Sequence, residues 1–141
     1  MIRMSLIVET LRIQQYIKNT FILLPLFFSG RMTHYNLLFD NLVAFMGLCF
    51  VSSGIYIFND ILDIDEDKKH PMKQKRPIAS GKLDKKTALS IMLVLLAVGL
   101  LISFVLSLYL KSFTVLFLFI FYIILNILYS LRLKHIPIVD I

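Results

Sequence analysis

Apolar residues in this chain come in long blocks rather than in alternating or amphipathic patterns. Ala88 to Leu110 carries no charged residue, and neither does Phe113 to Leu131. A helix needs about 17 to 25 residues to cross a hydrocarbon layer about 30 Å thick, and strands end far sooner, so each block predicts a membrane-crossing helix. A third block is uncharged from Leu42 to Phe58 and starts as early as Leu37, with Asp40 and Asn41 near one membrane surface. The first, Ile13 to Gly30, is interrupted by Lys18, Asn19 and Pro25. Polar groups inside a span are costly and tend to be functional, so it reads as a fourth crossing whose polar residues are informative. Pro25, and the lack of a small-residue cleavage pattern, argue against a cleaved leader. The pattern predicts an all-α integral membrane protein with about four transmembrane helices. Residues 1–141 read as a single membrane domain without repeats or linkers.

Composition strengthens this reading. Of 141 residues 58% are hydrophobic and only 17% charged, with a mean hydropathy of +0.81, outside the range of ordinary soluble domains. The net charge of +6 does not point to nucleic acid, because the basic residues are sorted by position. Arg3, Arg12 and Lys18 precede or open the first block, eight Lys and Arg lie between Asn59 and Thr87, and Arg132 and Lys134 come after the last. The other side has only Arg31 and Lys111. Positive charge favours the cytoplasmic face, so the N terminus, the long loop and the C-terminal end are expected there, in a cell (inner or plasma) membrane. Cys49 is the single cysteine, which excludes a disulfide within the chain.

The long loop holds the candidate chemistry. Asp60, Asp63, Asp65, Glu66 and Asp67 crowd together just past the third apolar block. If the helix continues past Phe58 at about 100° per residue, Asp60, Asp63 and Asp67 fall at about 0°, 300° and 340°, with Tyr56 one turn deeper at about 320°. Carboxylates on one stripe repel unless a cation sits among them, and oxygen ligands suit Mg²⁺, a hard ion that shares its shell with water and phosphates. Asp65 and Glu66 fall away from the stripe and read as solvated. A charged helix cap, with Lys68 and Lys69 answering the acids, has the same spacing. An EF-hand lacks its turn glycine and terminal acid, and His70 has no partner for zinc. Lys73, Lys75 and Arg76 come directly after the acids, then Pro77, which turns the chain. Acids that hold a cation, next to bases that neutralise phosphate, suit a metal-bridged diphosphate.

The run from Asn59 to Gly81, NDxxDxxxDxxHPxKxxRPIASG, resembles the first Asp-rich motif of the UbiA-type membrane prenyltransferase superfamily. Its HPxKxxRPIA half is similar to the branch of decaprenyl-phosphate phosphoribosyltransferases of cell-wall arabinan precursor synthesis. Arg12 to Asn19 resembles that branch's RPxQWxKN opening, with Ile13 in place of Pro and Tyr16 in place of Trp, and Tyr129 to Asp140 resembles its YSxxLKHxxxxD segment. The resemblance implies a transferase that uses Mg²⁺, phosphoribosyl pyrophosphate and a polyprenyl phosphate. It implies Asp60, Asp63 and Asp67 as metal-binding and catalytic residues, and Lys18, Asn19, Tyr56, Asn59, Lys73, Arg76 and Lys134 as substrate-binding ones. It also implies further helices and a second acidic motif in a later half, so this chain is expected to be the N-terminal part of such a bundle, and inactive alone. Two alternatives stay open: a sister enzyme moving a prenyl group from prenyl diphosphate to an aromatic or other acceptor, and a non-catalytic small membrane protein.

Overall fold

The computed structural model describes residues 4–131, and every regular element among them is helical. Seven α-helices run in order: α1 (Met4–Leu11), α2 (Tyr16–Asn19), α3 (Leu24–Phe28), α4 (Tyr35–Leu62), α5 (Ile64–Lys69), α6 (Lys85–Tyr109) and α7 (Thr114–Leu131). Three of these, α4, α6 and α7, are long and apolar enough to cross a membrane. Their outward faces carry bare Phe, Leu, Val and Ile side chains, as a lipid-facing surface does. The chain is therefore a multi-pass helical membrane protein.

The first expected span takes a less regular form. Between Ile13 and Phe28 the chain stays helical but alternates between α-turns and 3-10 turns at Ile13–Gln15 and Thr20–Leu23. Arg12 has left-handed backbone angles (φ 52°, ψ 47°), which separates α1 from the 3-10 turn at Ile13. Pro25, with no N–H to give, stands at the start of α3, the position in a helix where that loss costs nothing.

α4 is the central helix. Its buried residues, including Cys49, Val51, Ser52, Ser53, Gly54, Ile55 and Ile57, surround it, because the N-terminal segment, α6 and α7 pack on different sides. α6 instead buries one stripe, Ala88, Met92, Leu95, Gly99, Ser103 and Leu106, at steps of three and four. Small residues set how close the two can come. A Cβ on Gly99 would lie 2.5 Å from Val51 Cγ2 and 2.9 Å from the Gly47 carbonyl oxygen. The second contact is with backbone, which no rotamer change relieves. Gly99→Ala should therefore push α4 and α6 apart and destabilise the protein by about 1–3 kcal/mol, read as a lower unfolding temperature in detergent. The same change at Gly30, whose Cβ would meet nothing within 4 Å, bears only on its backbone conformation.

Beyond α4 the chain bends at Asp63 without losing helical phase. Asp63 N–H donates to the Asn59 carbonyl at 3.0 Å, and Asp67 N–H to that of Asp63 at 2.7 Å, so α5 extends α4 with a bend rather than a break. The next loop folds back on the bundle. Ile78 and Leu83 bury themselves against Ile57, Ala88, Met92 and Leu95. Gly81, at φ +74°, makes the turn that residues with a side chain rarely adopt. Asp84 then caps α6, its carboxylate accepting from Thr87 N–H at 2.9 Å, which holds that carboxyl below its usual pKa.

Candidate functional site

Anchoring of Pro77, Ile78 and Ala79 sets Arg76 against the end of α4. Its Nη1 donates to Asp67 Oδ2 at 2.7 Å and to Asp60 Oδ1 at 3.1 Å, so one guanidinium bridges two carboxylates seven residues apart. Both acids are almost wholly buried, Asp60 with 5% and Asp67 with 2% of the side chain exposed. Buried carboxylates need partners, and among the described residues their ion pairs are with arginines. The second is Arg12, whose Nη2 reaches Asp60 Oδ1 at 2.5 Å while its guanidinium carbon lies 5.1 Å from the centre of the Tyr56 ring.

A chain of polar contacts ties the N-terminal segment to α4 beneath that pair. Tyr16 and Ser53 hydroxyls meet at 2.8 Å, and Ser53 Oγ donates to the Leu11 carbonyl at 2.7 Å. One turn deeper, Asn19 Nδ2 donates to Ser52 Oγ at 2.9 Å, and Ser52 in turn donates to the Cys49 carbonyl. About two turns further along α4, the Ser130 hydroxyl of α7 lies against Asn59 Oδ1 and the Asn126 carbonyl. The left-handed turn at Arg12 thus sits where three supports converge: the Tyr56 face, the Asp60 carboxylate and the Ser53 bridge.

The residues singled out from sequence are distributed unevenly. Asp60, Asp67, Arg76 and Tyr56 come together, with Asn59 beside them. Asp63 stands half-buried at the bend, and Asp65 and Glu66 face solvent. Lys73 is exposed on the 3-10 turn Lys73–Lys75, one turn before Arg76. Lys18 is exposed, whereas its neighbour Asn19 is buried against α4. Lys134 lies outside the described residues, as does the stretch from Arg132 to Asp140. Sequence reasoning uses Arg12 for its charge and within the family-like stretch Arg12 to Asn19, and Ser130 within the stretch Tyr129 to Asp140, gives neither a role in the site, and passes over Ser52 and Ser53. The signals present are a basic residue directly before an apolar span and a serine pair in the middle of one.

An all-oxygen donor set suits a hard cation such as Mg²⁺. As the side chains stand, no three His, Cys, Asp or Glu among the described residues meet closely enough to hold an ion. Asp60 and Asp67 nevertheless form a seat for positive charge, and a guanidinium sits in it. The donor set is thus chemically suited to positive charge, which Arg76 supplies.

A sequence model of the UbiA prenyltransferase family matches residues 21–141. The chain belongs to this family. Among curated relatives, the decaprenyl-phosphate phosphoribosyltransferase of Corynebacterium glutamicum is 32% identical over 136 residues, 95% of this chain and 40% of the relative. Nodulation protein NoeC of Azorhizobium caulinodans is 41% identical over 92 residues, 64% of this chain and 29% of the relative. Digeranylgeranylglyceryl phosphate synthase of Sulfolobus acidocaldarius is 42% identical over 53 residues, 38% of this chain and 18% of the relative. The chain thus spans two fifths or less of the length of these relatives. The described helices are one portion of a UbiA-type bundle, and the buried acid–arginine cluster lies at one end of that portion.

Proposed function

We propose that this chain carries the diphosphate-handling end of a UbiA-family transferase that moves phosphoribose from phosphoribosyl pyrophosphate to a polyprenyl phosphate such as decaprenyl phosphate. The observation that carries the reading is the position of Arg76, drawn onto Asp60 and Asp67 by the buried residues next to it in the loop. An acid pair and a fixed guanidinium at one membrane-helix end suit a charged diphosphate better than they suit a solvated cap. Similarity to a phosphoribosyltransferase along 95% of the chain supports the choice of donor.

In this reading Asp60, Asp63 and Asp67 hold Mg²⁺, which when bound supplies charge neutralisation to the diphosphate. Arg76, with Lys73 on the adjoining turn, offsets charge building on the leaving phosphate oxygens. Asn59, steadied by Ser130, orients the donor beside Asp60. Asn19, fixed by Ser52, holds the segment from which Lys18 meets the acceptor's phosphate at the membrane surface. Lys134 is a second basic group for that phosphate. An oxygen of the lipid phosphate bonds to the anomeric carbon as the bond from that carbon to the diphosphate oxygen breaks. Pyrophosphate leaves with the electron pair, and no side-chain nucleophile takes part.

A water-soluble donor requires the acid cluster on the cytoplasmic side, in agreement with the distribution of Lys and Arg. A cysteine replacing Ser80 should react with an impermeant thiol reagent only once the membrane is opened, and one replacing Ser112 should react in intact cells. Labelling at position 80 in intact cells would reverse the orientation.

The second reading, prenyl transfer from prenyl diphosphate, is favoured by the similarity to digeranylgeranylglyceryl phosphate synthase. Pyrophosphate release by the full-length protein separates the two. It should require phosphoribosyl pyrophosphate, polyprenyl phosphate and Mg²⁺ together; release from prenyl diphosphate with an aromatic acid instead would move the protein to the sister class.

A further inference from the structure

We infer that Arg12 and Arg76 are exchangeable counter-ions, holding the buried acids when no metal is bound and passing to phosphate oxygens when metal and diphosphate enter together. The inference rests on the metal-and-diphosphate reading of the site and adds to it a coupling between the two ligands, with Arg12 as a further phosphate-binding residue.

The geometry leads there in three steps. Asp60 Oδ1 accepts from both arginines, at 2.5 Å from Arg12 and 3.1 Å from Arg76, and Asp67 Oδ2 accepts from Arg76 at 2.7 Å. A divalent ion shared by these carboxylates therefore competes with positive charge already in place. Bare metal entering alone leaves two cations facing another cation in a partly desolvated space, which is unfavourable.

A diphosphate removes that conflict, because its oxygens bind guanidinium as well as carboxylates do, and Arg fits both in the same forked geometry. Arg76 is 27% exposed and Arg12 21%, against 5% and 2% for the acids. The bases form the outer side of the cluster and the acids the inner side. A ligand arriving from the aqueous face meets the guanidinium groups first.

Arg12 has a further consequence, since it belongs to the N-terminal segment rather than to the acidic loop. Its left-handed backbone, its place against the Tyr56 ring and the Leu11–Ser53 bond hold it over Asp60. Moving its guanidinium from Asp60 to a phosphate keeps the segment docked through Tyr16 and Asn19, which bond to serines of α4 and not to the acids. The exchange is therefore confined to the two arginine heads.

The test is Mn²⁺ binding to the full-length protein, measured by electron paramagnetic resonance at matched free Mn²⁺, with and without inorganic pyrophosphate. Wild type should bind bare Mn²⁺ weakly, and pyrophosphate should tighten it about tenfold or more. Arg76→Gln should bind bare Mn²⁺ about tenfold more tightly than wild type and lose most of the pyrophosphate effect. Arg12→Gln, in which Arg76 still bridges both acids, should change in the same direction by a smaller factor and serves if Arg76→Gln does not fold. Lys85→Gln, an exposed charge change at the start of α6, should leave both affinities unchanged. Bare Mn²⁺ affinity no higher in either arginine variant than in wild type would overturn the exchange while leaving the metal site standing. Absence of Mn²⁺ binding in every variant, with pyrophosphate and without, would overturn both.

Discussion

Asp60→Asn in the full-length protein should lower turnover by about a thousandfold or more, equivalent to roughly 4 kcal/mol of transition-state stabilisation. Asp65→Asn should leave it close to wild type. The two residues are five apart in one acidic run, and composition does not distinguish them. Position does: Asp60 is buried under two guanidinium groups, and Asp65 faces solvent on α5. The substitution keeps the shape of the side chain and removes its charge, so in the proposed reading it removes a metal ligand with little change in packing. A purely structural acidic cap would respond to net charge, and both changes would then be mild and alike. Steady-state rates at saturating donor, with thermal unfolding as a control for folding, distinguish the two outcomes.

Arg76→Gln should reduce stability by about 3–5 kcal/mol in the absence of metal, because it leaves Asp67 a buried carboxylate without its guanidinium. Adding Asp67→Asn to the same protein should recover most of the loss. A buried pair costs much when one member is removed and little when both are neutralised, since the main penalty is the orphaned charge. The double-mutant cycle, read from unfolding temperatures in detergent, should give a large coupling energy for this pair. Simple additivity would mean that solvent reaches Asp67 freely and that the cluster is not the low-dielectric site its burial indicates.

Much of the fold is legible in the sequence because membrane insertion imposes length and apolarity on each crossing. The charge-free blocks from Ala88 and from Phe113 coincide with α6 and α7 to within a few residues, and the block from Leu37 with α4. The irregular course of residues 13–28 is less legible. Whether a turn is α or 3-10 depends on neighbours, here on Asn19 and Tyr16 reaching for the serines of α4, and hydropathy registers neither bond. The bend at Asp63 is another such feature: the hydrogen bonds on either side preserve helical phase, so Asp60 and Asp67 stay on one side.

The site divides in the same way. Carboxylate spacing along a helix is a local property and can be counted residue by residue. That the cation between Asp60 and Asp67 is a guanidinium depends on a loop folding back through Ile78 and Leu83, a contact between distant parts of the chain. Arg12 is the extreme case. In the sequence its charge bears on orientation, and its partnership with Asp60, 48 residues away, emerges only once α1 and α2 are docked on α4.

Phosphoribosyl transfer by this family member is best decided by the mass of the lipid product made by membranes containing the full-length protein. With phosphoribosyl pyrophosphate and Mg²⁺, polyprenyl phosphate should gain the mass of one phosphoribosyl unit, and the gain should vanish with Asp60→Asn. An unchanged lipid phosphate together with a prenylated aromatic acceptor, formed from prenyl diphosphate by the same membranes, would contradict it.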